Sequence, residues 1–162
     1  MMNKTTLLLT SDQTSLLKLQ QFVENVCDHF NIQNTYFGNI LICLNEAFAN
    51  AVKHGNQNDS AKIVTLEMKN ENTELSFTIT HQGNVFNYEE LVSKISPDET
   101  KGLFLIKTLS DKFEFQNEGK TIFIQFNITP IEPEFKRKRS QILSGSVTQI
   151  DIKKKLHQTQ KH

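Results

Sequence analysis

The stretch from Asn34 to Asn56, NTYFGNILICLNEAFANAVKHGN, constrains the fold more than any other part of the chain. Its spacing predicts one long helix with two differently used faces. At about 100° per residue from Glu46, the residues Ile40, Leu44, Ala47, Phe48 and Ala51 fall between about 100° and 200°. That is a core-facing stripe, widened by Leu41 and Val52. Glu46, Asn50 and His54 stand at i, i+4 and i+8 and share the opposite face within roughly 80°. A carboxylate and an amide one turn apart can reach the same small ligand or metal ion, although an ordinary wet face has the same pattern. Ile42 and Cys43 flank Glu46 on that side, so a ligand or a lid is expected to cover it. Gly55 is expected to end the helix in a left-handed cap.

The flanking segments supply the partners such a helix needs. Lys4–Thr10 reads as a short strand. Ser11 and Asp12 offer caps for an amphipathic helix over Gln13–Phe30, built on Leu16, Leu19, Phe22, Val23, Val26 and Phe30. Ala61–Lys69 and Glu74–Thr80 alternate apolar and polar residues around a turn at Asn70–Thr73, which predicts an antiparallel hairpin with one wet face. A turn at His81–Asn84, a short helix over Tyr88–Ile95 and a polar loop at Ser96–Lys101 follow. Gly102 is expected to open a helix running to Asp111. Phe113–Gln116 and Thr121–Ile128 form a last strand pair around Asn117–Gly119. The order β-α-α-β-β-α-α-β-β excludes a purely parallel sheet. It predicts an α+β two-layer sandwich, with a mixed, mostly antiparallel sheet carrying its helices on one face.

Residues 1–129 are expected to be the folded domain, and 130–162 a basic C-terminal extension, flexible or partly docked. Eight Lys/Arg against three acidic residues give that extension +5, which leaves −5 on the body of a chain with zero net charge. An acidic body argues against direct nucleic-acid binding. Leu7–Leu9 is too short for a signal peptide and no apolar run spans a bilayer, so a cytoplasmic protein is expected. Cys27 and Cys43 lack metal-ligand spacing and read as buried reduced thiols. The five histidines are not at zinc spacing, and no GxxxxGK[ST] phosphate loop occurs.

The run NEAFANAVKHGN resembles the N-box of the GHKL ATPase/kinase superfamily, in the form found in bacterial anti-sigma factors that are serine kinases. Glu46, Asn50, His54 and Gly55 fit it, and GLFLIKTLSD (Gly102–Asp111) resembles the helix after the second glycine box. The likeness covers roughly Lys4 to Ile128. It implies a histidine-kinase-like (Bergerat) ATPase fold, with Mg²⁺ and ATP. By that resemblance Asn50 ligates Mg²⁺ and Glu46 is the general base for a serine hydroxyl. Lys53, His54, His81, Gly83, Thr100, Lys101, Gly102 and Leu103 are the further nucleotide-binding positions, with amides at the start of the helix opened by Gly102 holding phosphate oxygens.

The chain departs from the family at three of these places. His81 and Val85 replace the aspartate and second glycine of an Asp-x-Gly-x-Gly box in which the aspartate binds the adenine amino group. Thr100 replaces a glycine of the second box. A neutral imidazole nitrogen can accept one hydrogen bond from an adenine amino group, and the bulk of Val85 is expected to narrow the pocket. Two functions follow from the resemblance. One is an anti-sigma regulatory factor acting as an ATP-dependent protein serine/threonine kinase, which phosphorylates a small STAS-type antagonist and sequesters a sigma factor. The other is a degenerate module that sequesters a partner with weak or no ATP binding. Members of this kind commonly act as dimers, which implies a homodimer. A plain helix-sheet domain with a chance motif is the third alternative.

Overall fold

The computed structural model describes residues 3–85, 87, 89, 90, 93 and 97–128. Strand β1 (Asn3–Thr10) leads into helix α1 (Ser15–His29) and then helix α2 (Asn34–Asn50). A π-helical turn, Ala51–Gly55, extends α2. Strands β2 (Ile63–Glu71) and β3 (Glu74–His81) form a hairpin. Helix α3 (Pro97–Leu109) and the hairpin of β4 (Lys112–Gln116) and β5 (Thr121–Asn127) complete the described elements. The short helix expected at Tyr88–Ile95 lies largely outside the described residues, and the basic extension lies wholly outside them.

The five strands form one sheet in the order β1-β2-β3-β5-β4, and every neighbouring pair is antiparallel. The period-two pattern carries the register. Leu7, Leu66, Ile79, Ile122 and Phe115 stand side by side across all five strands. The next row is Met68, Phe77, Ile124 and Phe113. These rows, the buried stripes of α1 and α2, and Leu103 and Ile106 of α3 make a single core. Phe77 and Phe126 meet edge to face there at 6.2 Å between ring centres. The opposite parity is wetter: it carries Thr65, Glu67, Ser76 and Thr78, with Glu67 paired to Lys4 at 2.7 Å. The two-layer α+β sandwich is therefore present.

Helix α2 packs between α1 and α3, while α1 contacts β1, α2 contacts β5 and α3 contacts β4. Two expected caps are used differently. Ser11 is buried and its hydroxyl donates to the Lys62 carbonyl at 2.7 Å, away from α1. Asp12 accepts from the Thr14 amide at 2.9 Å and from the Thr14 hydroxyl, closing the turn into the helix. The β2–β3 turn is tighter than expected, because the strands pair as far as Glu71 and Glu74. Asn72, at φ 56, takes the left-handed position there.

Helix α3 starts five residues earlier than its sequence suggests. Residues 97–101, expected as a polar loop, are helical, and Pro97 takes the first helical position, where its fixed φ and missing N–H suit a helix start. The apolar spacing that marks a helix begins only at Leu103, because the first turn has nothing to bury: Pro97, Asp98, Thr100 and Lys101 are exposed.

Candidate functional site

Glu46 and Asn50 lie on the regular part of α2, one turn apart, so their side chains share a face. Neither side chain makes a hydrogen bond or ion pair among the described residues. What covers this face is α3. A Cβ at Gly102 would overlap the end of the Glu46 side chain, so the carboxylate occupies the space that the missing side chain leaves on α3. One turn earlier on α2, Cys43 is fully buried with its sulfur 4.0 Å from the Ile106 carbonyl. The apolar cover expected over Cys43 and Glu46 is thus the chain's own helix, while Ile42 beside them is 41% exposed.

Burial, with the Glu46 carboxylate nearby, pushes the Cys43 thiol up to about 12, and burial next to Asp28 pushes Cys27 up to about 11. Both cysteines are free and buried. They read as packing groups rather than nucleophiles or ligands.

Beyond Asn50 the helix widens. Its bonds become i→i+5, as in Asn56 N–H to the Ala51 carbonyl at 2.8 Å. His54 therefore follows Asn50 by somewhat less than a full turn, instead of the 40° overshoot that α-helical spacing gives about every four residues. It remains half-buried on the side of Glu46 and Asn50, and Lys53 beside it is exposed.

Gly55 does not adopt the left-handed cap. Gln57 and Asn58, at φ 54 and 59, take that conformation instead. Glycine stands at 55 because a Cβ there would run into the His81 ring, and Gly83 is needed because its Cβ would strike the Gly55 carbonyl. The end of the N-box helix and the turn after β3 are pressed backbone to backbone.

A buried amide locks this junction. Asn56 is fully buried, and its Nδ2 donates to Ser11 Oγ at 2.8 Å and to the Ile63 carbonyl at 3.2 Å. Its Oδ1 accepts from the Gln82 amide at 2.9 Å. Gln82 in turn accepts from the Ile63 amide at 2.7 Å. Sequence reading missed Asn56 and Gln82. Their only signal is position, a polar residue directly after the Gly that ends the helix and another directly before Gly83.

His81 is 4% exposed and continues the buried parity of Leu75, Phe77 and Ile79. Its Nδ1 accepts from the Gly83 amide at 3.1 Å. Nδ1 therefore carries no proton, and Nε2–H donates to the Gly119 carbonyl at 3.3 Å. Burial holds its pKa below the usual histidine value, with Lys120 and Lys62 adding to that shift and the Gly119 bond opposing it. The ring nitrogen expected to face an adenine amino group is already engaged. Val85 is 52% exposed.

The corrected start of α3 changes the last group of positions. Gly102 and Leu103 lie beyond the first four residues of the helix, so their amides have intrahelical partners and are not free donors at a helix start. Leu103 is buried in the core, while Thr100 and Lys101 are exposed. The structure thus brings Glu46, Asn50 and Gly102 together, and separately His54–Asn56 with His81 and Gly83. A groove of about 860 Å³, lined by residues including Lys107, Phe113 and Phe115, lies along α3 and β4 and shares no residue with either group.

The model of the histidine kinase-like ATPase domain matches residues 9–126. The chain belongs to this family. Among solved structures, the ATPase domain is similar to the crystal structure of the RsbU and RsbW domains of Rv1364c from Mycobacterium tuberculosis, at a TM-score of 0.59 and 12% identity. The likeness covers 78% of this chain and 32% of that one, so the chain spans about a third of its length. At that identity it shows a shared fold. A search of curated proteins found no match. Among the described residues no group of three or more His, Cys, Asp or Glu can hold a metal ion, and no helix is long and apolar enough to cross a membrane.

The residues divide in their fit to a magnesium nucleotide. The phosphate end fits: the Asn50 amide and Glu46 carboxylate are uncommitted among the described residues, and Mg²⁺ needs few protein ligands because it keeps waters and takes oxygens from phosphates. The base end does not fit the family's way of holding adenine, because His81 spends both ring nitrogens on the backbone.

Proposed function

We propose that this histidine kinase-like ATPase domain is an anti-sigma regulatory factor. It uses Mg²⁺ and ATP to phosphorylate a serine of a small STAS-type antagonist and holds a sigma factor inactive. The observation that carries this reading is the Glu46–Asn50 pair: a carboxylate and an amide on one turn of α2, neither engaged elsewhere among the described residues. Family membership supports nucleotide chemistry at that pair. Phosphoryl transfer asks a protein mainly for positioning and charge neutralisation, and Mg²⁺ supplies most of the latter. Asn50 holds the metal through its side-chain oxygen. Glu46 accepts the proton of the serine hydroxyl. Lys53 and Lys101 are exposed cations suited to phosphate oxygens. The reading extends to a cytoplasmic homodimer whose ATPase domain is residues 1–129, followed by the basic extension 130–162.

A second reading, a module that sequesters its partner without phosphorylating it, is favoured by α3. Its first turn stands where a phosphate-holding loop was expected, and Gly102 abuts the Glu46 carboxylate. Calorimetric titration of Mg·ATP into the full chain separates the two. The kinase reading expects a dissociation constant in the millimolar range or tighter, with Asn50→Ala abolishing the Mg²⁺ dependence. No heat of binding at millimolar ATP leaves only the second reading.

A further inference from the structure

The base end of the site carries a more specific conclusion, which rests on the nucleotide reading above. A site distinguishes adenine from guanine by fixed donors and acceptors that match one base edge and are left unpaired by the other. Adenine offers an amino donor where guanine offers a carbonyl acceptor. By the family resemblance, the side chain at the reading position is His81. Its Nδ1 lone pair is taken by the Gly83 amide and its Nε2 proton by the Gly119 carbonyl. The ring is also wedged in place, since a single methyl on Gly55 would overlap it. Turning the ring to greet a base would break two buried hydrogen bonds and strike the end of the N-box helix. The polar groups of Gln82, next in the chain, are equally committed. The Gln82 amide is bound to Asn56 Oδ1, and the Gln82 side-chain oxygen to the Ile63 amide. Val85 offers only hydrocarbon.

We infer that this domain takes nucleoside triphosphates with little regard to the base, gripping the Mg²⁺-polyphosphate end and not reading adenine. His81 is then a positioning residue. It joins the turn after β3, the π-turn of the N-box helix and the β4–β5 turn at Gly119, and it gives up adenine selectivity in doing so.

The test compares Mg·ATP, Mg·GTP and Mg·tripolyphosphate as calorimetric ligands of the full-length protein. ATP and GTP are expected to bind within about threefold of each other, because His81 has both ring nitrogens engaged and a tenfold preference needs about 1.4 kcal/mol of selective contact. Tripolyphosphate is expected to compete with both. A preference of tenfold or more for ATP overturns the inference while leaving the nucleotide reading in place. Absence of binding for all three ligands overturns the nucleotide reading, and the inference with it. His81→Asp restores a free acceptor and is expected to raise the ATP-to-GTP ratio about tenfold, one good hydrogen bond's worth. His81→Asn controls for packing: its Oδ1 can take over the Gly83 amide, and the ratio is expected to stay near one. A shift towards ATP in His81→Asn equal to that in His81→Asp counts against the inference. The wild-type comparison stands alone if either variant fails to fold.

Discussion

Replacing Asn56 by alanine tests the junction between the N-box helix and the turn that follows β3. The side chain is fully buried and makes three hydrogen bonds, at 2.8, 3.2 and 2.9 Å, to Ser11, Ile63 and Gln82. A typical intramolecular hydrogen bond contributes about 1 kcal/mol net, and a buried donor left unpaired costs about 1–3 kcal/mol. Two of the three partners keep alternatives: Ser11 still donates to the Lys62 carbonyl, and a carbonyl such as that of Ile63 tolerates a lost donor better than an amide tolerates a lost acceptor. The Gln82 amide loses the acceptor that ties it to the helix end. The expected loss is therefore about 2–4 kcal/mol, a large share of the roughly 5–15 kcal/mol that holds a domain together. Urea unfolding reads it as a lower midpoint at unchanged slope. Hydrogen exchange should also show the Gln82 amide losing protection, since that bond ties it to the helix end. Lys69→Ala, exposed on β2, serves as a control within about 0.5 kcal/mol of wild type. A loss under about 1 kcal/mol, with Gln82 still protected, refutes the reasoning.

Three further outcomes follow from the same geometry. Gly83→Ala places a methyl against the Gly55 carbonyl, backbone against backbone, and is expected to cost about 1–3 kcal/mol by thermal or urea unfolding. Gly102→Ala gains up to about 1 kcal/mol of helix propensity and can push the flexible Glu46 carboxylate aside, so stability should change little while phosphoryl transfer falls at least about tenfold. Because the folded-state pKa of His81 lies below its unfolded value of 6.5, the unfolded chain takes up the proton first. The contribution of His81 is then complete above pH 6.5 and is lost as pH falls through the folded pKa. Urea midpoints of wild type against His81→Asn over this range should show that loss in the wild type and a flatter profile in the variant.

The fold was legible because each strand obeys a period of two and each helix a period near 3.6. Leu75, Phe77 and Ile79 against Ser76 and Thr78 announce which face of β3 is covered, and the sheet bears this out. The same rule, carried two residues further, puts His81 on the covered face. Motif reading set that aside by treating residue 81 as the start of a loop. The start of α3 was illegible because an exposed first turn has no apolar periodicity, and Pro97 suits a loop as well as a helix start. Gly55 was misread for another reason. A glycine at a helix end usually signals a left-handed residue, but here the demand comes from a ring that arrives from a strand 26 positions later in the chain. The π-turn also leaves no mark in hydrophobic spacing over only five residues. Local pattern shows which face of an element is buried, but not where two backbones will touch.

On the function proposed above, Glu46 and Asn50 on α2 form the metal end of a nucleotide site. The most direct measurement uses Mn²⁺ as a paramagnetic stand-in for Mg²⁺, since both favour oxygen ligands. Titrating Mn·ATP into isotopically labelled protein should broaden NMR signals around a centre at the Asn50 side-chain amide, with Glu46 and Gly102 close behind, and Asn50→Ala should remove the effect. Broadening centred elsewhere, for instance along the groove at Phe113 and Phe115, or unchanged in Asn50→Ala, contradicts the account.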